Sequence, residues 1–136
     1  GACTGGGPVF VYNAGFEKSR IAELAARFAD LAPALLALRA RVVDLYPIAR
    51  NRYYHPDQHG SWSIKHVLPA VAPDLRYDTL EGVRDGGAAM HAYVEAIDAA
   101  TSPARRIEIE AQLRAYCGLD TFAMVRLWQF FAGKAA

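Results

Sequence analysis

The feature that most constrains the fold is a short apolar run near the start of the chain, Val9-Phe10-Val11-Tyr12. β-Branched and aromatic side chains occupy both faces of this run, which is typical of a buried strand in a parallel sheet. After it the apolar spacing changes to the three and four residues of a helix, and no second run of this kind follows. The sequence therefore predicts one strand and about six helices, an unusual inventory because one parallel strand cannot form a sheet.

Helical periodicity continues through most of the chain. The second predicted helix begins at Pro33 and extends over residues 35–45, where apolar side chains recur every three or four positions. Residues 50–62 are aromatic, basic and rich in turn formers, which predicts a long loop of the kind that often carries function. The helix that follows Asp85 is predicted to point three apolar side chains inward: Met90, Val94 and Ile97.

Composition limits the class of protein. The chain has 136 residues, of which 53% are hydrophobic and 21% charged, and this fits one globular domain over residues 1–136 rather than a disordered chain. The formal net charge of +1 provides no general field for nucleic acid, so binding would need a local basic patch. No apolar run approaches the roughly 18–20 residues that span a bilayer, and two distant cysteines indicate reduced thiols. We expect a cytoplasmic protein without membrane contact.

The first candidate functional motif follows the predicted strand. Asn13 and Glu17 place an amide and a carboxylate just past the carboxyl end of that strand, the edge at which α/β proteins bind ligands. A carboxylate in the first turn of a helix also stabilises the helix dipole. Taken alone, this motif leaves both interpretations open.

The second candidate motif lies near the end of the chain. Tyr116 and Asp120 are four residues apart and share one face if the helix is continuous. Because that face continues into apolar side chains, the Asp120 carboxylate costs free energy unless it is paired or bound to a metal. A Tyr–Asp hydrogen bond, or an N-cap for a helix that begins at Thr121, would satisfy it equally well.

Taken together, Asn-x-x-Phe-Glu after a strand and Tyr-x-x-x-Asp on a later helix resemble the second and third motifs of the DEDD exonucleases, in their tyrosine-containing DEDDy form. Longer blocks resemble a bacterial domain-of-unknown-function family associated with predicted RecB-family nucleases. These blocks span residues 11–20, 43–45, 60–69 and 116–125. The resemblance extends over about residues 8–127.

The resemblance implies an α/β ribonuclease H-like fold, present here as a mostly α-helical C-terminal fragment with one or two β-strands. It implies a metal-dependent 3′–5′ exonuclease that acts on DNA or RNA, in which carboxylates hold two Mg²⁺ or Mn²⁺ ions roughly 3.5–4 Å apart. Glu17 and Asp120 would be metal ligands, Tyr116 would position the attacking water and Asn13 would shape the site.

Basic and aromatic residues beside this site are candidates for nucleic-acid contacts. Lys65 is expected to contact a phosphate, while Arg52 and Tyr53 would grip or stack on a single-stranded end. A loop packed by its own aromatic side chains is the alternative for Arg52 and Tyr53. Asp44, at a position where related exonucleases often have an acid, is expected to be structural.

Two departures from the exonuclease pattern limit the activity expected of this chain. Glu17 replaces the usual aspartate, and no aspartate is followed two positions later by glutamate, so the first acidic motif, Asp-x-Glu, is missing. We therefore expect the chain to be the C-terminal part of a longer domain and to be inactive alone. The alternative is a non-catalytic helical module for nucleic-acid binding or scaffolding. A strand without a partner also favours a homodimer that pairs residues 9–12.

Overall fold

The structure is a computed structural model that describes residues 5–134. Over these residues it contains six α-helices and a two-stranded parallel sheet, which confirms the mostly helical prediction. In chain order the elements are β1 (Val9–Val11), α1 (Gly15–Arg27), α2 (Ala32–Ala40), β2 (Val42–Asp44), α3 (Tyr46–Arg52), α4 (Ile64–Val71), α5 (Gly86–Ile97) and α6 (Pro103–Phe131). Short 3₁₀ helices cover Pro56–Gln58 and Tyr77–Thr79.

The second strand corrects the prediction of one helix over residues 35–45. Helix α2 ends at Ala40, and β2 pairs with β1 in parallel, with Val9 opposite Val42. Adjacent β-branched residues favour a strand here, because their side chains are stiff in a helix. The expectation that the first strand lacks a partner in its own chain is therefore wrong. A homodimer through residues 9–12 stays a prediction and would have to use the outer edge of β1.

The main core forms where α3, α4 and α6 meet beside the sheet. Its buried side chains are Leu45, Ala49, Val67, Leu68, Ala72, Tyr77, Ala123 and Leu127. Helix α6 covers β1, and the ring centroids of Phe10 and Trp128 lie 5.9 Å apart. Burying one leucine side chain completely stabilises a fold by about 1.5–3 kcal/mol, so this cluster fixes α6 against the strand and its carboxyl end.

Helix α5 has the opposite orientation to the one predicted. Met90, Val94 and Ile97 are exposed, with Met90 at 70% of its full accessibility. The inward face instead consists of alanines, among which Ala92 is buried against Val83 and Ile109 of α6. Small side chains allow two helices to approach closely, and here this contact determines which face of α5 is buried.

Helix α6 is continuous over 29 residues, from Pro103 to Phe131. Ser102 caps it, with Oγ accepting a hydrogen bond from the amide of Arg105 at 3.3 Å. The helix does not restart at Thr121, whose hydroxyl donates to the carbonyl of Cys117 at 2.8 Å. Tyr116 and Asp120 consequently share one helical face, as their spacing predicts.

Within residues 5–134, no helix combines the length and apolar character needed to cross a membrane.

Candidate active site

The carboxyl ends of both strands are joined by one side chain, Asp44. Its carboxylate accepts hydrogen bonds from the backbone amides of Asn13 at 2.8 Å, Ala14 at 2.9 Å and Tyr46 at 2.9 Å. Asn13 adopts a left-handed conformation with φ 68°, which turns the chain from β1 into α1. These contacts confirm the structural interpretation of Asp44 and fix the starts of α1 and α3.

Glu17 lies in the first turn of α1, directly after this turn. Its Oε2 atom is buried and has no hydrogen-bond partner within the part of the chain that the structure describes. Leaving a buried polar atom without a partner costs about 1–3 kcal/mol, and more when the group is charged. A cation or a hydrogen-bond donor from a bound molecule would remove that cost.

Glu17 faces the same cavity as the two functional candidates of α6. This cavity has a volume of about 460 Å³, and its lining includes Glu17, Tyr116 and Asp120. The remaining lining residues are Phe10, Val11, Tyr12, Ile64, Cys117, Thr121 and Met124. The structure thus brings Glu17 to the same cavity as Tyr116 and Asp120, which follow it by 99 and 103 positions in the sequence.

Sequence reasoning missed the direct partner of Asp120, which is Tyr77. The Tyr77 hydroxyl donates to Oδ1 of Asp120 at 2.5 Å, across 43 residues of sequence. Burial, together with the hydrogen bond to Asp120, raises the pKa of Tyr77 well above its ordinary value. No spacing or motif links these residues in the sequence, so only the tertiary fold reveals the pair.

Tyr116 remains available as a donor in this cavity. Burial, with a further contribution from the nearby Asp120 charge, raises the pKa of Tyr116, so its phenol is protonated at neutral pH. Its hydroxyl makes no hydrogen bond among residues 5–134, although its ring centroid lies 6.1 Å from that of Tyr77. A protonated phenol in this position can orient a water molecule or a polar ligand.

The side chains match a divalent metal in kind but supply only part of a ligand set. Carboxylate oxygens are the ligands that Mg²⁺ and Mn²⁺ prefer, and Glu17 offers one that is buried and unpaired. Across residues 5–134, however, no three His, Cys, Asp or Glu side chains are grouped so that they could hold a metal ion. Two carboxylates fit one Mg²⁺ that keeps several waters, and they are too few for a two-ion centre.

None of the four residues predicted to contact nucleic acid lines this cavity. The Nζ atom of Lys65 lies 3.9 Å from Oδ2 of Asp85, and Arg52 is exposed at the end of α3. Tyr53 packs edge-on against Phe130, with ring centroids 5.2 Å apart, which favours the packed-loop alternative for this residue. The nucleic-acid roles of Asn13, Lys65, Arg52 and Tyr53 stay predictions.

Comparison with known families gives a match over the first part of the chain. Residues 1–63 match the family described as "Domain of unknown function (DUF2779)", and this description names no nuclease. The match includes Asn13, Glu17 and Asp44, whereas Tyr116 and Asp120 lie beyond its end. No curated protein and no solved structure matches the chain.

Proposed function

We propose that this chain supplies part of the active site of a metal-dependent 3′–5′ exonuclease acting on DNA or RNA. The observation that carries the proposal is the buried, unpaired Oε2 atom of Glu17, in the cavity that Tyr116 and Asp120 also line. A cation would remove the cost of this unpaired carboxylate oxygen, and a second carboxylate that could share the cation lines the same cavity.

Each residue of the cavity then has a distinct role. Glu17 and Asp120 would hold Mg²⁺ or Mn²⁺, which would supply Lewis-acid activation of a water and charge stabilisation of the leaving oxygen. Tyr77 fixes the orientation of the Asp120 carboxylate through its hydrogen bond to Oδ1, which leaves Oδ2 to bind the metal. The protonated hydroxyl of Tyr116 donates a hydrogen bond that positions the attacking water.

The site as proposed is incomplete within the described residues. The sequence contains no Asp-x-Glu motif, and two carboxylates are about half of what a two-ion centre uses. We infer that further ligands come from a segment outside residues 5–134. By itself, this chain is accordingly expected to leave DNA and RNA ends intact in Mg²⁺ or Mn²⁺.

Metal binding tests the proposal without requiring activity. Mn²⁺ binding is measured by electron paramagnetic resonance for the wild-type chain, for Glu17→Gln and for Asp120→Asn. The matched control is Glu23→Gln on the same helix, because Glu23 is exposed and pairs only with Arg20. Glu17→Gln and Asp120→Asn should each weaken Mn²⁺ binding about tenfold or more, and the control should not. Equal binding by all four proteins contradicts the proposal.

Hydrolysis provides the complementary test. The product of the complete open reading frame should degrade single-stranded ends in Mn²⁺, and Asp120→Asn should abolish that activity. The present chain should show no hydrolysis under the same conditions. If the present chain alone degrades ends and Asp120→Asn abolishes that degradation, the inference of missing ligands is wrong.

One observation favours the non-catalytic alternative, a scaffolding module. Helix α5 exposes four apolar side chains at helical spacing, namely Met90, Tyr93, Val94 and Ile97. Such a face is typical of a surface that packs against another protein. If neither Glu17→Gln nor Asp120→Asn weakens Mn²⁺ binding, the scaffolding module is the better description of this chain.

A further inference from the structure

A second cavity, of about 630 Å³, lies beside the candidate active site. The two cavities share Tyr12 and Ile64 in their walls, so they are neighbours on either side of these side chains. The second cavity also contains Asn13, which the sequence places next to the active site. A ligand that extends past Tyr12 would therefore reach from one cavity into the other.

Three aromatic side chains, Tyr12, Tyr46 and Trp62, form a fixed wall of this second cavity. The rings of Tyr12 and Tyr46 meet edge to face, with centroids 5.6 Å apart. The Tyr12 hydroxyl donates to the carbonyl of Trp62 at 2.6 Å, and the indole of Trp62 donates to the carbonyl of Tyr53 at 3.0 Å. These bonds hold the rings in place before any ligand arrives.

One cation faces this aromatic wall without a partner of its own. Arg50 of α3 lines the cavity, is exposed, and makes no hydrogen bond or ion pair within residues 5–134. Some arginines of the chain are instead neutralised by carboxylates, as in the Arg76–Asp78 and Arg105–Glu95 pairs. The hydroxyl of Ser63, also in the lining, makes no capping bond to α4 and is a second available donor.

We propose that this cavity binds one nucleotide unit, with the phosphate on Arg50 and the base against the aromatic wall. A guanidinium group matches phosphate with paired donors, and aromatic side chains bind bases of any sequence by stacking. The proposal rests on the proposed function and deepens it, because the bound unit would lie next to Glu17 and Asp120. It also adds a phosphate contact at Arg50 to the one that the sequence predicts for Lys65.

A free mononucleotide and the end of a single strand offer the same chemistry, so the test includes both. Binding is measured in EDTA, with a fluorescein-labelled single-stranded decanucleotide followed by anisotropy and with AMP as competitor. The proteins are the wild type, Arg50→Gln and the control Arg27→Gln, which removes an equal charge from the exposed end of α1. Stronger binding by the decanucleotide assigns the site to a strand end, and equal binding assigns it to the mononucleotide.

Arg50→Gln is expected to weaken binding of either ligand about tenfold, as the loss of a charge-assisted phosphate contact does. It should also reduce the slope of log affinity against log salt concentration by about 0.7 for the single strand. A second variant, Tyr46→Leu, should weaken decanucleotide binding about fivefold or more by removing part of the wall.

The proposal is overturned if Arg50→Gln binds both ligands as the Arg27→Gln control does. Because Arg50 is exposed, its replacement should leave thermal unfolding unchanged, so a loss of binding would not reflect unfolding. The experiment excludes metal, which separates it from the proposed function. Failure of Mn²⁺ binding with nucleotide binding intact would reject the metal centre alone, and the reverse result would reject the nucleotide site alone.

Discussion

The contact between Tyr77 and Asp120 connects the 3₁₀ helix Tyr77–Thr79 to α6, and its removal gives a quantitative test of the site. Tyr77 is 7% exposed, and its hydroxyl donates to Asp120 at 2.5 Å. Tyr77→Phe deletes only that hydroxyl, since phenylalanine preserves the ring that packs against Tyr116. The change therefore isolates one hydrogen bond without opening a cavity.

A hydrogen bond to a charged group contributes about 1.5–3 kcal/mol to stability. Because Asp120 is half-buried, water compensates part of its loss, and we expect Tyr77→Phe to lower the free energy of unfolding by about 1–2 kcal/mol. Asp120→Asn should lower the free energy of unfolding by less than Tyr77→Phe does, since the amide oxygen of asparagine still accepts the hydrogen bond but without the charge. Against a total stability of about 5–15 kcal/mol, both effects are measurable.

Urea unfolding followed by circular dichroism at neutral pH measures these effects in four proteins: the wild type, the two single variants and the double variant. The coupling between the substitutions should be about 1 kcal/mol, because Tyr77→Phe removes the hydrogen bond and Asp120→Asn removes the charge that strengthens it. A coupling below about 0.3 kcal/mol, the level at which independent sites add, would refute the contact.

The pH dependence provides a second measurement with a definite sign. The pKa of Tyr77 is raised in the folded state, so its stabilising effect is complete below its ordinary pKa of 10.0 and declines as the pH rises above it. Phenylalanine has no such titration. The stability difference between the wild type and Tyr77→Phe should therefore narrow between about pH 9 and pH 11, whereas a widening difference would show that the sign is wrong.

The remaining predictions concern stability. Asp44→Ala leaves three backbone amides without their acceptor, and urea unfolding should show a loss of about 2–4 kcal/mol; a loss below about 0.5 kcal/mol would contradict the bridging role. Ala92→Leu overpacks the contact between α5 and α6 and should cost about 1–3 kcal/mol, whereas Met90→Gln on the exposed face should change stability by less than about 0.5 kcal/mol. Thermal unfolding of the two α5 variants checks the assigned orientation of the helix. Equal losses of stability in the two variants would contradict that orientation.

Local pattern was sufficient for some elements and misleading for others. The strand at residues 9–12 was correctly located, because its signal depends on adjacent residues, although its side chains are half-buried rather than buried. Strand β2 was missed because three residues are too few to show a period, and Val42 and Leu45 also fit a helical spacing. In such short segments, pairing with a distant strand decides the conformation.

The orientation of α5 and the partner of Asp120 could not be read from pattern for a related reason. Helical spacing identifies an apolar stripe on α5 but not whether it faces inward, and close packing on α6 selected the alanines. The Tyr77–Asp120 bond joins residues 43 positions apart and leaves no trace in local sequence. The proximity of Glu17 to Asp120 was anticipated through a family resemblance, because spacing alone cannot predict a contact across that distance.

The carboxylate of Asp44 has a consequence for both cavities. The Asp44 carboxylate binds the backbone amide of Ala14, three residues before Glu17. It also binds the backbone amide of Tyr46, which lines the second cavity together with Arg50. A single side chain that lines neither cavity thus anchors backbone that leads to residues of both. Under the two proposals made above, a substitution at Asp44 would alter how a bound strand is aligned between the cavities, and we expect it to change the affinity for the strand less than the position of the strand relative to Glu17.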